Sequence, residues 1–320
     1  MNHLTLLSYA RRAYCKFMGG FSPELSMPVE NDPQRSNDII YSYLVSDAPC
    51  MIARYGSVEL NVVVNYIGIK EKSYFDYIKG KIPFISWNDG YILGLCNNAG
   101  FFPYPANSDM KLVGKFCELM IDCSKSVDVL GSWQNNEYYL EKYHKDCKKV
   151  FLECLVPFFC ESPWTRVLKG KKVLVVHPFA SLIEQQYTRR KLLFFNEDIL
   201  PEFELKTIQA VQSLGGNCSC GFSTWFDALD HMKDQIVKED FDICILGCGA
   251  YGFPLASFVK EIGKKSVHLG GVSQILFGIK GRRWEVEYDN YPKLFNEHWV
   301  RPTGNLIPTS ASNVENGCYW

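Results

Sequence analysis

The stretch FDICILGCGAYGFPLASFVKEIGKKSVHLGG, residues 241–271, decides how the chain folds. Residues 241–246 are an apolar run of strand length, and residues 251–262 carry apolar side chains at helical spacing. Between them lies Gly247-x-Gly249-x-x-Gly252, with Tyr251 inside the turn. Beyond them a second strand-like run, 266–269, contains His268 and leads into Gly270-Gly271. A strand, a glycine turn, a helix and a further strand make one unit of a parallel α/β sheet. Glycines there let the backbone come close to a phosphate, and the helix start behind them supplies free N–H groups and positive dipole. A dinucleotide site also wants an acid roughly 20 residues on, to hold the ribose hydroxyls. None stands between Glu261 and Glu285. The turn therefore reads as a mononucleotide or sugar-nucleotide phosphate site ahead of an NAD(P) or flavin site. A turn that only packs its helix is the bland alternative.

Working outward, strand-like runs at 50–54, 127–130, 150–154, 172–176 and 204–209 alternate with helical patterns at 57–67, 87–98, 109–123, 179–195 and 224–237. Asn97-Asn98-Ala99-Gly100 and Ser108-Asp109 supply a stop and a start signal. This alternation predicts a mostly parallel, doubly wound, Rossmann-like α/β sheet with helices on both faces. A segment with Pro163 and Gly170, residues 161–170, reads as a hinge. It divides the chain into an α/β half at 1–160 and a second at 161–284, or lies within one domain. Residues 285–320, rich in Pro, Asn and aromatics, read as a segment wrapping the body, because Trp299, Tyr319 and Trp320 are costly to leave in water.

With 320 residues, 47% of them hydrophobic, the chain has ample core, and its net charge of -1 excludes a broad electrostatic nucleic-acid binder. No apolar run has the length of a membrane span. The opening residues 3–21 place Arg11 and Arg12 inside an apolar stretch, against the order of a signal peptide. They form an amphipathic helix that packs on the domain or makes a peripheral contact with a membrane or partner. Thirteen cysteines without a leader suit a reducing, cytoplasmic setting. Cys218-x-Cys220 and Cys244-x-x-x-Cys248 lack matching His or Cys partners at zinc-ligand spacing.

In such a sheet ligands gather beyond the carboxyl ends of the strands, and informative residues cluster there. Glu59 follows the first strand in the opening turn of a helix beginning at Ser57. A carboxylate so held can serve as general base, although an N-cap serine with a first-turn acid is also ordinary helix capping. His177 ends a Val-rich strand, as a site residue or a packing group. Ser181, Gln185 and Arg189 follow at spacing four, on one helical face. Lys280, Arg282 and Arg283 crowd around Gly281, where guanidinium forks would suit a diphosphate; a solvated basic loop looks the same. The pair Asp240-x-Asp242 sits at the amino end of its strand, away from the crevice, and is rejected as a metal motif.

With those residues assembled, Arg54-Tyr55-Gly56-Ser57-Val58-Glu59 resembles the Arg-aromatic-Gly-acid-x-acid motif of the GT-D type of glycosyltransferase of bacterial glycan assembly. Residues 241–271 are similar, more weakly, to that family's later strand–glycine–helix–strand unit. The run from HWVRP to NVENGCYW resembles the ending of uncharacterised polysaccharide-cluster proteins. The resemblance implies a nucleotide-sugar donor, a glycan or lipid-linked glycan acceptor in surface-polysaccharide synthesis on the cytoplasmic side, and Glu59 as base or acceptor-activating group. Arg54, Gly56, Ser57, His177, Gly247, Gly249, Tyr251, Gly252, Gly270, Gly271, Lys280, Arg282 and Arg283 are then the expected nucleotide and diphosphate contacts. One departure matters. The family associates its first acid with a divalent metal, and this chain has Ser57 there, so no metal ligand is assigned and the cations are expected to stabilise the leaving diphosphate. An NAD(P)-dependent oxidoreductase and a non-catalytic binding or assembly subunit are the two rival readings.

Overall fold

The structure is a computed structural model that describes residues 3–25, 28–105, 109–144, 146–214, 220–313 and 317–320; Ser108 and Cys218 lie outside them. Two helices, α1 (His3–Met18) and α2 (Pro33–Val45), precede the first strand, β1 (Cys50–Ala53). Then come α3 (Ser57–Glu71), the short α4 (Tyr74–Ile78), α5 (Asp89–Asn98), α6 (Lys111–Ser124), β2 (Val129–Ser132) and β3 (Lys148–Phe151). The second half runs β4 (Lys172–His177), α7 (Ala180–Tyr187), β5 (Glu204–Gln209), α8 (Trp225–Lys238), β6 (Ile243–Leu246), α9 (Gly252–Glu261) and β7 (Lys265–His268). Two one-turn helices, α10 (Ser273–Leu276) and α11 (Arg282–Val286), follow.

All seven strands form one parallel sheet in the order β3-β2-β1-β7-β6-β4-β5. This is the doubly wound, Rossmann-like α/β class. Its central strands are buried on both faces, as covered parallel strands must be, and the pleat sorts their side chains. Met51, Leu174, Cys244 and Leu246 join the core under α3, α6, α8 and α9. Cys50, Ile52, Val173, Val175, Ile243 and Ile245 join the core under α2, α7 and the 284–299 region. Cys244 is fully buried within its strand, a small apolar core residue.

In the segment 161–170 read as a hinge, Trp164, Val167 and Leu168 are buried, and the Trp164 N–H donates to Asn37 Oδ1 at 2.9 Å. Two local expectations are corrected. The helix expected over 179–195 stops at Tyr187, because Leu193 and Phe194 turn into the core against Trp299, so Arg189 falls beyond it. Finally, α2 has no counterpart in the sequence reading; Asp32 caps it, accepting from the Arg35 N–H, with Pro33 in its first turn. Among the described residues of 285–320, Trp299 is buried and the Trp320 indole N–H donates to the Leu306 carbonyl.

Connections leave neighbouring strands toward opposite faces. Beyond β1 the chain enters α3 on one face, and beyond β7 it enters residues 270–277 on the other; α9 after β6 and α7 after β4 repeat the split. Such switch points open a crevice at the carboxyl ends of the strands.

Candidate active site

A cavity of about 460 Å³ occupies that crevice, within the range of small-ligand sites. Every strand sends residues to it: Arg54 and Gly56 to Glu59 after β1, Trp133 after β2, Phe151 to Glu153 at the end of β3, and His177 to Phe179 at β4. Gln212 follows β5, Gly247 and Gly249 follow β6, and His268, Gly270 and Gly271 come from β7. The remaining wall includes Arg283, Glu287, Tyr288, Tyr319 and Trp320, together with Asn98, Ala99, Leu214 and Gln274.

The turn after β1 is anchored by Tyr55, which is buried and stacks on Phe253 with ring centroids 4.6 Å apart. Its hydroxyl donates to Ser124 Oγ at 2.5 Å and meets His144 Nε2 at 2.6 Å. Ser124 in turn donates to the Met120 carbonyl, so His144 must carry its proton on Nε2. Helix α3 begins after Gly56, which is its N-cap; Ser57 is the first helical residue and not the cap expected from sequence. A Cβ at position 56 would collide with the Glu59 carboxylate, which folds back over the Gly56 backbone. Glycine thus leaves room for the carboxylate to lie against the backbone.

Burial raises the Glu59 pKa, its own backbone N–H and the Arg54 charge working against that. Burial lowers the Arg54 pKa, which the Glu59 charge opposes and the neighbouring Arg283 charge reinforces. The Arg54 guanidinium also lies over Trp133 at 5.5 Å. Trp133 is fixed by Glu137, whose buried carboxylate accepts from the Ser132 hydroxyl and from the Trp133 and Gln134 N–H groups. The Trp133 indole N–H donates to the Tyr55 carbonyl at 3.3 Å.

Two imidazoles stand in the wall. His177 Nδ1 accepts from the Phe179 N–H at 2.9 Å, which puts the ring proton on Nε2. Burial lowers both His177 and His268 to about 3, so each is neutral at physiological pH. The cationic character of the cavity is therefore carried by arginine.

The glycines divide into two kinds. A Cβ on Gly247 would strike the Ser273 hydroxyl and come within 2.6 Å of His177 Cδ2; one on Gly252 would strike the His268 ring, and one on Gly271 the Tyr319 ring. These three serve packing between side chains of the site. Gly249 has φ +57°, is exposed, and a Cβ there would meet nothing within 4 Å. Of the turn glycines, it is the one whose backbone is open to a ligand.

Arg54, Gly56, Ser57, Glu59, His177, Gly247, Gly249, Gly270, Gly271 and Arg283 thus line one cavity. Four expected contacts do not. Tyr251 is buried in the core, stacked on Trp225 at 4.8 Å and bonded to Ser213, and Gly252 lies behind His268. Lys280 points its ammonium at Phe295, 5.6 Å from the ring centre, and Arg282 is exposed outside the lining. At the opposite end of the sheet Asp240 pairs with Lys172, and Asp242 accepts from the Lys172 N–H.

Sequence reasoning missed Tyr319, Gln274 and Glu137. Tyr319 packs beneath the Arg283 guanidinium, 5.1 Å from the ring centre, and Gln274 ties the Tyr319 carbonyl to the body at 3.2 Å. The Gln-Asn-Asn-Glu sequence at 134–137 was the legible trace of Glu137, since it forms a capping box. The divalent ion of the resembled family fits poorly: Ser57 occupies the position of its acid, and among the described residues no group of three or more His, Cys, Asp or Glu side chains could hold one.

No protein-family model matches the chain, and no curated protein does. Two solved structures superpose along nearly its whole length. One is a selenomethionine-substituted structure of domain of unknown function 1792, 10% identical, covering 95% of this chain and 96% of its own, with a TM-score of 0.42. The other, of the same domain and described as having a distinct glycosyltransferase fold, is 10% identical with a TM-score of 0.42, covering 94% and 96%. A superposition this loose bears no functional weight. The residues of the cleft do.

Proposed function

We propose that the chain is a glycosyltransferase, moving a sugar from a nucleotide-sugar donor to a hydroxyl of a glycan or lipid-linked glycan acceptor in surface-polysaccharide synthesis on the cytoplasmic side. The observation that carries this reading is the convergence of two guanidinium groups, Arg54 and Arg283, on one cavity with the carboxylate of Glu59. Arg283 adds to the burial that weakens Arg54's charged form, so a ligand with several negative charges stabilises both. A diphosphate has the required charge and forked geometry. Aromatic faces at Trp133, Tyr288 and Trp320 supply the flat apolar surface that a base or sugar ring needs.

In the reaction, the acceptor oxygen attacks the anomeric carbon while Glu59 takes its proton. The bond from that carbon to the diphosphate breaks, and the leaving oxygens gain charge against Arg54 and Arg283. His177, neutral with Nε2–H, donates a hydrogen bond without adding charge.

The test pairs binding with turnover. A thermal-shift comparison of nucleoside diphosphates, nucleotide sugars and NAD(P) should show stabilisation by the first two, roughly 2.7 kcal/mol at 100 times the dissociation constant. Equal or greater stabilisation by NAD(P) would point to an oxidoreductase. With the donor so identified, Glu59→Gln should lower transfer by roughly 10²–10⁴-fold while leaving donor affinity and melting temperature in place. Near-normal turnover would remove Glu59 from the mechanism.

A further inference from the structure

Helix α1 has sixteen residues and not one buried side chain. It is nevertheless tied down: Arg11 reaches inward and donates to the carbonyls of Tyr77, Ile82 and Pro83 at 3.2, 2.7 and 3.2 Å. Leu7, Ser8, Tyr14 and Cys15 share that inner, half-buried side. The outer side is where an ordinary surface helix would be polar. Here it is Leu6, Tyr9, Ala10, Ala13 and Phe17, one stripe at helical spacing, with Phe17 78% and Tyr9 56% exposed. Arg12 and Lys16 flank the stripe, and residues 3–18 contain no acid although the whole chain has a net charge of -1. Next to α1, with His3 and Tyr74 in ring contact at 5.2 Å, α4 exposes Phe75 at 65% with Lys79 over its ring at 3.9 Å.

We infer that α1 and α4 form a docking surface for an anionic lipid bilayer. The stripe would enter the headgroup boundary, and Arg12, Lys16 and Lys79 would meet the lipid phosphates. An outward apolar stripe bordered by cations, on a helix too short and too charged to span, is the composition of an interfacial helix. A second copy is the weaker occupant, because a two-fold contact through the stripe would set Arg12 and Lys16 close to their own counterparts with no acid on the helix to offset them. The surface is independent of the chemistry in the cleft.

Co-sedimentation of the full chain with phosphatidylcholine vesicles, with and without phosphatidylglycerol, tests this. Binding should require the anionic lipid. Each basic side chain near such a surface is worth roughly 1 kcal/mol, or about fivefold. Arg12→Gln with Lys16→Gln should therefore weaken binding about thirtyfold, and added salt should act in the same direction. Leu6→Ser with Phe17→Ser should cost roughly tenfold or more per residue. All four positions are exposed, so circular dichroism and melting temperature should not move. Equal affinity for neutral and anionic vesicles, or none for either, overturns the proposal. So does a wild-type dimer in light scattering that the Leu6→Ser, Phe17→Ser variant converts to monomer.

Discussion

Lowering the pH from about 7.5 to about 5 loads the unfolded chain with protons that three buried histidines refuse in the folded one. His177, His268 and His144 are all buried, and burial brings them to about 3, about 3 and about 4. Protonating His177 at Nδ1 would also break its bond from the Phe179 N–H. In the unfolded chain an imidazole titrates near 6.5. Below that value the unfolded state binds more protons than the folded state, so stability falls as pH falls. Around pH 5 three such groups give a slope of about three protons, or roughly 4 kcal/mol per pH unit. Integrated over the whole interval the loss is roughly 2 kcal/mol per histidine and roughly 6 in total. Glu59 and Glu137 act in the opposite sense, because burial raises both and the folded state takes up their protons first. They restore part of the loss at the acid end. Since domains are stable by about 5–15 kcal/mol, acid unfolding should set in near pH 5. Urea unfolding followed by circular dichroism across the interval gives the slope directly, and His268→Asn should remove about a third of it. A slope of one proton or fewer near pH 5, or a folded-state resonance of His144, His177 or His268 titrating near 6.5, would refute the reasoning.

The Glu59 carboxylate is itself held by its neighbour. Gly56→Ala should push the carboxylate out of place and lower turnover by at least roughly tenfold with donor affinity retained, steady-state kinetics deciding. With Glu59 raised by burial, kcat/KM should fall on the acid side with a midpoint above the usual glutamate value of about 4.3, and no limb should track an imidazole near 6.5. Gly247→Ala forces a methyl onto Ser273 and His177 and should cost about 1–3 kcal/mol in denaturant unfolding. Arg283→Ala should weaken nucleoside diphosphates by roughly tenfold or more and the bare nucleoside little, while Arg282→Ala, outside the cavity lining, should change neither. Calorimetry separates the two. A chelator should leave donor affinity unchanged; an absolute need for added magnesium or manganese would restore a metal role.

The inner strands were readable because a buried parallel strand is a short, largely apolar run, and all seven, the partly exposed edge strands β3 and β5 included, appear at or near their expected positions. Helix α2 was not, since its inner residues Ser36 and Asn37 are polar, and Asn37 is buried to bond the Cys154 and Val156 carbonyls. In the site, the residues at strand ends were legible from position alone. What spacing could not reveal was how a glycine is used. Gly247, Gly252 and Gly271 match a phosphate turn in letters, yet Ser273, His268 and Tyr319 fill the space beside them. Arg282 and Arg283 look interchangeable in sequence. Only the second turns toward Tyr319 and the cavity.

Trp133 and Trp320 stand in the cavity wall, whereas Trp164, Trp225, Trp284 and Trp299 are buried in the cores. The molecule therefore carries its own optical indicator. A ligand that draws the Arg54 guanidinium off the Trp133 ring or covers Trp320 alters the emission of those indoles, while the four interior ones and the half-buried Trp87, outside the cleft, supply a constant background. Iodide, which reaches only accessible indoles, would quench the empty cleft more than the filled one. Candidate donors can thus be ranked by titration in unlabelled protein before any acceptor is known.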